Sequence, residues 1–241
     1  MMQIETTQPA GDSSLIMTLD GLIDESKCFN FIEKLKTVWD KSHLGKTLGG
    51  VNIESKTTED IHVSEFAFRE LGIAWDESWY SLEMHFADAL ISAVSIYKQN
   101  YRHLDSWVQV ADTGFQVQKY SKNFGFYRPH VDSFPVLNSS INNRVLGCVV
   151  YLNDVEYGGE TNFPLHSVKI KPKAGRIALF PASWTHPHES CVPITDDKWI
   201  ISTFIVNDQW SNGQPPSHPD DHTHNDSDDN VHTHHENTND F

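Results

Sequence analysis

From about residue 107 to residue 206 the sequence breaks into short β-type runs separated by turn residues, and this constrains the fold more than any other feature. The runs are Phe115–Tyr120, Arg144–Leu152, Ser167–Ile170, Arg176–Phe180, Glu189–Val192 and Trp199–Val206. Asn153-Asp154, Gly158-Gly159, Pro172, Gly175, Pro187 and Asp196-Asp197 punctuate them. Ahead of this region the periodicity is helical. Leu15–Leu22 reads as a first strand. Asp24 then caps a helix whose Cys28, Phe31, Ile32, Leu35, Val38 and Trp39 share one face. Residues 40–62, rich in Gly, Lys, Thr and Ser, read as loop with at most a short strand. A second helix runs from about Ser78 to Tyr97, with Trp79, Leu82, Phe86, Ala89, Leu90, Ala93 and Ile96 in one stripe. Helices first and strands afterwards predict an α+β fold: a double-stranded β-helix (jelly roll) core with the N-terminal helices packed on one sheet.

The two ends of the chain read differently. Residues 1–14 are polar and are expected to be flexible, with the folded domain spanning 15–207. Residues 208–241 hold six of the 14 histidines, eight of the 33 acidic residues and no Lys or Arg. Too little apolar surface is present there to offset ordering entropy, so a disordered tail is expected. Its His-rich runs also allow loose metal binding. The formal charge of −15 excludes a protein that tracks nucleic-acid phosphates through a basic face. No stretch has the pattern of a signal peptide or of a membrane helix, and Cys28, Cys148 and Cys191 read as reduced thiols. These features predict a soluble, cytoplasmic protein.

Candidate metal ligands follow from strand geometry. Side chains at i and i+2 of a strand share a face, so a His-x-Asp pair can reach one ion, and a third ligand from a distant strand completes a facial triad with open positions. Three His-x-Asp pairs occur: His103/Asp105, His130/Asp132 and His218/Asp220. The first follows the long helix and the last lies in the polar tail, so His130/Asp132, inside the β region, is the candidate. His186 and His188 both offer the third ligand. Lys198, ten residues after His188 and at the start of an apolar strand, can place an ammonium near the metal as a carboxylate anchor.

These segments resemble the prolyl 4-hydroxylase-like branch of the iron(II)/2-oxoglutarate-dependent dioxygenases. The resemblance rests on Gln116–Tyr120, Phe126 through Asp132, the stretch YLNDVEYGGETNFP from Tyr151 to Pro164, Lys171–Phe180, and His188 through Trp199. It implies that His130, Asp132 and His188 are the metal and catalytic residues. It also implies that Lys198, Tyr120 and Thr161 bind 2-oxoglutarate and that Tyr127 lies in the substrate pocket. The cofactors implied are Fe(II), 2-oxoglutarate and O2, with ascorbate as reductant, and the partner implied is a peptide or protein substrate containing proline. Three departures stand out. The Tyr120-to-His130 spacing is one residue long, Phe204 replaces a usual tryptophan, and Glu189-Ser190 follows the distal histidine; all three are expected on the substrate side. The same cofactor chemistry on a free amino acid or another non-prolyl substrate is one alternative. A jelly-roll metal-binding protein without turnover is another.

Overall fold

The computed structural model describes residues 4–8, 14–104, 110–134 and 144–207. The tail from residue 208, the His218/Asp220 pair and Asp105 lie outside these residues. In chain order the elements are β1 (Glu5–Thr7), β2 (Met17–Asp20), α1 (Glu25–Lys36), β3 (His43–Leu44), β4 (Lys46–Thr47), β5 (Gly50–Val51), β6 (Lys56–Thr57), β7 (Glu59–Val63), α2 (Glu65–Glu70) and α3 (Glu77–Asn100). They continue with β8 (Val110–Asp112), β9 (Phe115–Tyr120), β10 (Phe126–His130), β11 (Arg144–Tyr151), β12 (Thr161–Phe163), β13 (Val168–Ile170), β14 (Ile177–Pro181), β15 (His188–Ser190) and β16 (Lys198–Asn207).

Both long helices start where their caps lie. The Asp24 carboxylate accepts from the Ser26 amide at 2.8 Å, and Asp76 accepts from the Ser78 and Trp79 amides at 3.0 Å each. The stripe of α3 buries Trp79, Phe86, Ala89, Leu90 and Ala93 as the spacing predicts, with Leu82 and Ile96 partly buried beside them. Phe31 of α1 packs on Trp79 and Phe86 at ring separations of 6.2 and 4.9 Å, locking the two helices together.

The helices cover one face of a large sheet with strand order β1-β2-β14-β11-β16-β9-β7-β3, to which β8 adds at β16. A smaller sheet, β13-β12-β15-β10-β6, supplies the second layer of the jelly roll. Alternation along the central strands feeds two cores at once. On β11, Leu146, Cys148 and Val150 join the core under the helices, while Val149 and Tyr151 join the core between the sheets. On β14, Leu179 takes the helix side, and Ala178 and Phe180 the inner side. Burial on both faces explains why these strands read as continuous apolar runs.

Two segments differ from the sequence reading. Residues 40–62, expected as loop with at most a short strand, carry β3 to β6 and most of β7. Strand β7 pairs with β9 and β6 with β10, so this segment builds part of both sheets. The polar residues that suggested a loop include Lys56, Thr58 and Asp60, which are buried together, and Ile61 and Val63 alone carry the apolar signal of β7. In the terminus expected to be flexible, Glu5–Thr7 pairs with Met17–Asp20 as an edge strand. Its side chains are exposed, so the contact is made by backbone and leaves no hydrophobic trace. Cys28, Cys148 and Cys191 are unpaired thiols, the first two buried and the third half-buried. No helix among the described residues is long and apolar enough to cross a membrane.

Candidate active site

The small sheet brings the candidate ligands together. His130 ends β10 and His188 begins β15, and the two are direct cross-strand partners. Asp132 follows β10 by two residues and is held by its backbone: its amide and that of Ser133 both donate to the Ala182 carbonyl, at 3.1 and 2.8 Å. Arg144 adds a bond from Nη1 to the Asp132 carbonyl at 3.1 Å. The ligand atoms of His130, Asp132 and His188 all lie within 4.8 Å of one another. Each Asp132 oxygen faces one imidazole Nε2, Oδ1 at 3.6 Å from His130 and Oδ2 at 3.6 Å from His188.

This arrangement fits a non-haem iron(II) site. Cis ligands with bonds of about 2.1 Å to one ion stand roughly 3 Å apart, so small side-chain movements close the set around a metal. Both imidazoles are oriented by carbonyls, His130 Nδ1 at 2.9 Å from the Arg128 oxygen and His188 Nδ1 at 3.1 Å from the His186 oxygen. Donation from Nδ1 fixes the tautomer and leaves each Nε2 lone pair for the metal. Burial, reinforced by His188, pushes the His130 imidazole down to about 3, so it is neutral, as a ligand must be. Burial also raises the Asp132 carboxyl, a cost that a bound cation offsets. Two nitrogens and one carboxylate on one side of the ion leave the opposite positions open.

Hydrogen bonding distinguishes the two late histidines. His186 Nε2 lies 2.8 Å from the Ser14 carbonyl and Nδ1 2.9 Å from Thr185 Oγ1, and its ring stacks on His166. Both nitrogens are occupied away from the triad. His103 is exposed in a short turn after α3.

The triad opens onto a cavity of about 280 Å3, whose wall includes Tyr120, Tyr127, Thr161 and Ser190. Tyr127 stacks on His130 at a centroid distance of 3.6 Å. The Tyr120 hydroxyl donates to Gln118 at 2.8 Å, and the Thr161 and Tyr151 hydroxyls share a bond of 2.6 Å. Lys198, cross-strand partner of Tyr120, is fully buried next to this wall. Its ammonium donates to the Gly159 carbonyl at 2.9 Å and to Ser190 Oγ, and lies 4.0 Å from the Tyr120 ring centroid. Burial pushes Lys198 down to about 7, and among the described residues no carboxylate accepts from it.

Two of these contacts revise the sequence reading. Ser190, counted among the substrate-side departures, touches the Lys198 ammonium. The Gly158-Gly159 turn, to which the sequence assigned no chemistry, supplies the carbonyl that holds it. Both glycines have positive φ, +75° and +74°, which aims that carbonyl inward. The wall also includes Lys56, Gln116, Gln118, Arg144 and Phe180, to which the sequence gave no role. For Arg144 the signal was present, a lone cation at the mouth of an otherwise apolar strand.

The comparisons agree with this geometry. Residues 115–206 match the family model of the 2OG-Fe(II) oxygenase superfamily. That match covers less than half of the chain, and within it His130, Asp132 and His188 form a group of the 2-His-1-carboxylate kind. The relatives and solved structures that the chain resembles are prolyl hydroxylases. The chicken (Gallus gallus) prolyl 4-hydroxylase subunit alpha-1 is 30% identical over 106 residues, which is 41% of this chain and 20% of that one. The chain spans between 17% and 24% of the length of the curated relatives it matches. Among solved structures, a prolyl hydroxylase from Trichoplax adhaerens, in complex with a hypoxia inducible factor oxygen degradation domain peptide fragment, aligns with a TM-score of 0.64 at 16% identity. That alignment covers 82% of this chain and 86% of that one. The viral collagen prolyl hydroxylase of Paramecium Bursaria Chlorella virus-1 aligns with a TM-score of 0.57 at 17% identity, covering 81% and 97%. These likenesses establish the jelly-roll fold.

Proposed function

We propose that the chain is an iron(II)- and 2-oxoglutarate-dependent dioxygenase that hydroxylates a proline residue in a peptide or protein. The observation that carries this reading is the pairing of a facial triad with a buried ammonium beside the same cavity, one that donates to no carboxylate among the described residues. A protein that only stores metal has no use for the second feature.

When bound, the iron supplies dioxygen activation coupled to the decarboxylation of 2-oxoglutarate. One oxygen atom goes to the substrate C–H and the other to succinate, with carbon dioxide released. In this reading His130, Asp132 and His188 hold the ion. Lys198 binds the distal carboxylate of 2-oxoglutarate as a charge-assisted pair, in place of part of its present bonding to Gly159 and Ser190. Tyr120 and Thr161 line the route to it. Tyr127, fixed against His130, forms the wall along which a proline ring lies. Phe163 and Phe180, at 5.3 and 4.7 Å from the His188 ring, keep bulk water from that side of the metal. Ascorbate serves as the external reductant. Three unpaired thiols suit the reducing conditions of the cytoplasm, and the acidic charge suits neither nucleic acid nor an anionic membrane surface.

The test is succinate formation from 2-oxoglutarate with iron(II), ascorbate and oxygen, with and without proline-containing peptides, alongside mass analysis of the peptide. Peptide-stimulated turnover with a gain of one oxygen atom, lost in His130→Ala, supports the reading. Turnover stimulated by free proline but by no peptide shifts the substrate to an amino acid. Absence of turnover with iron bound overturns the enzyme assignment.

A further inference from the structure

The cavity wall carries a second buried lysine that has no part in the chemistry above. The Lys56 side chain is 2% exposed and pairs with Asp60, itself 0% exposed, at 2.8 Å. Asp60 is well served without it, since Thr58 Oγ1 donates to Oδ1 at 2.7 Å and Gln116 Nε2 to Oδ2 at 3.3 Å. The converse does not hold. An ammonium has three N–H groups, and among the described residues Asp60 is the one hydrogen-bond acceptor of Lys56 Nζ. Asp60 is sealed from solvent, whereas Lys56 lines the cavity with its Nζ 5.2 Å from the centroid of Tyr127, the ring that stacks on His130. The stem is also held in place: a Cβ at Gly45 would lie 2.9 Å from Lys56 Cε, so the β3–β4 corner packs directly on it.

The charge around this group points one way. Lys46, Lys56 and Arg144 line the cavity, against two acids. Of these, Asp132 belongs to the triad and Glu189 accepts from Asn162 Nδ2 at 2.7 Å. With Asp60 behind Lys56 counted, three cations face three acids, so a divalent ion held by the triad would leave the wall net positive. A low-dielectric cleft strengthens the resulting preference for an anion.

We propose that Lys56 is an anion-binding residue on the substrate side of the cavity, selecting substrates that present a carboxylate close to the C–H to be oxidised. Resting on the prolyl reading above, this means a peptide with an acidic residue next to the target proline. A lysine needed only to neutralise Asp60 has no reason to face the cavity.

The test measures binding without turnover. Protein loaded with Mn(II) and 2-oxoglutarate under anaerobic conditions is titrated with three peptides that differ only in Glu, Gln or Lys beside a central proline. The expected result is about tenfold tighter binding of the Glu peptide than the Gln peptide, with the Lys peptide weakest. Lys56→Met alone strands a buried carboxylate, so the informative variant is Lys56→Met with Asp60→Asn, which keeps the site neutral. It should bind the Gln peptide as wild type does and lose the preference for Glu. Equal affinities in wild type, or a preference that survives the double variant, overturn the proposal while leaving prolyl hydroxylation standing. If no peptide binds, the prolyl reading fails. N-acetylglutamate against N-acetylglutamine then decides this proposal on its own: a tenfold preference that depends on Lys56 supports it, and equal binding overturns it.

Discussion

His130 and His188 face each other across the antiparallel pair β10 and β15, with ring centroids 4.3 Å apart. Hydrogen bonding of the small sheet, and not a flexible loop, therefore sets the distance between two metal ligands. The triad is preorganised, with Asp132 as its most costly member, since a buried carboxylate faces two imidazoles. Asp132→Asn should then separate stability from function. The apo protein should melt at the same temperature as wild type or higher, while Co(II) or Fe(II) affinity falls at least a hundredfold. Thermal denaturation and metal titration on the same samples check both halves. A melting temperature lowered by several degrees would show that the carboxylate stabilises the fold.

Gly147, on β11, lies directly under that carboxylate. A Cβ there would stand 2.7 Å from Asp132 Oδ2 and 2.5 Å from Phe180 Cε2, both inside contact distance. Gly147→Ala should cost about 1–3 kcal/mol of stability by overpacking. It should also weaken metal binding by roughly 10- to 100-fold, the range for disturbed ligand support. Adding Phe180→Leu gives way at the ring but not at the oxygen. The double variant should regain stability and keep the metal defect. Recovery of both would assign the whole effect to Phe180.

Much of this site is legible in the sequence, and the reasons are physical. His130 and Asp132 stand out through their His-x-Asp spacing, although Asp132 lies beyond the end of β10 and is placed by backbone bonds to Ala182, not by strand alternation. The buried strands β11 and β14 stand out because burial on both faces favours apolar runs, and β9 through its alternation of apolar and polar residues. Those strands fall within a residue or two of their sequence bounds. Lys56, Thr58 and Asp60 were not legible. They are polar residues that owe their burial to one another, so their segment has the composition of a loop. The Gly159 carbonyl was equally hidden, because a backbone acceptor has no side chain to read. Ser190 looked like a neutral departure until its strand placed it against Lys198.

Asp20 ties the edge of the large sheet to the turn before β14. Arg176 donates to it through Nε and Nη2 at 2.8 Å each, and Lys173 through Nζ at 2.9 Å. The Arg176 bonds, followed by Lys173 and opposed by burial, hold the Asp20 carboxyl below its ordinary 3.8. A depressed carboxyl contributes stability that is present above pH about 4 and is lost as pH falls through its folded value. After allowance for solvent screening the contribution is about 1 kcal/mol. Urea titrations from pH 7 to pH 2.5 should show Asp20→Asn less stable than wild type at neutral pH, with the gap closing below pH 4. A gap that stays constant with pH would mean that packing, not charge, is what Asp20 provides.

Lys198 titrates in the opposite sense. Its ammonium is pushed down to about 7 by burial, partly offset by Cys191 and Glu160. The free protein thus loses this proton as pH rises through neutrality. A carboxylate bound there favours the protonated form and raises the value again. Linkage then requires affinity for 2-oxoglutarate to weaken as pH rises, by up to tenfold per unit between the free and bound values. Titrating the Mn(II)-loaded protein with 2-oxoglutarate should give binding roughly 25-fold weaker at pH 8.5 than at pH 6.5. Lys198→Met should bind weakly at both, with a flat profile, because no neutral side chain replaces the charge. A wild-type profile as flat as that of the variant would remove Lys198 from the cosubstrate site and leave its role to the Gly159–Ser190 turn it now braces.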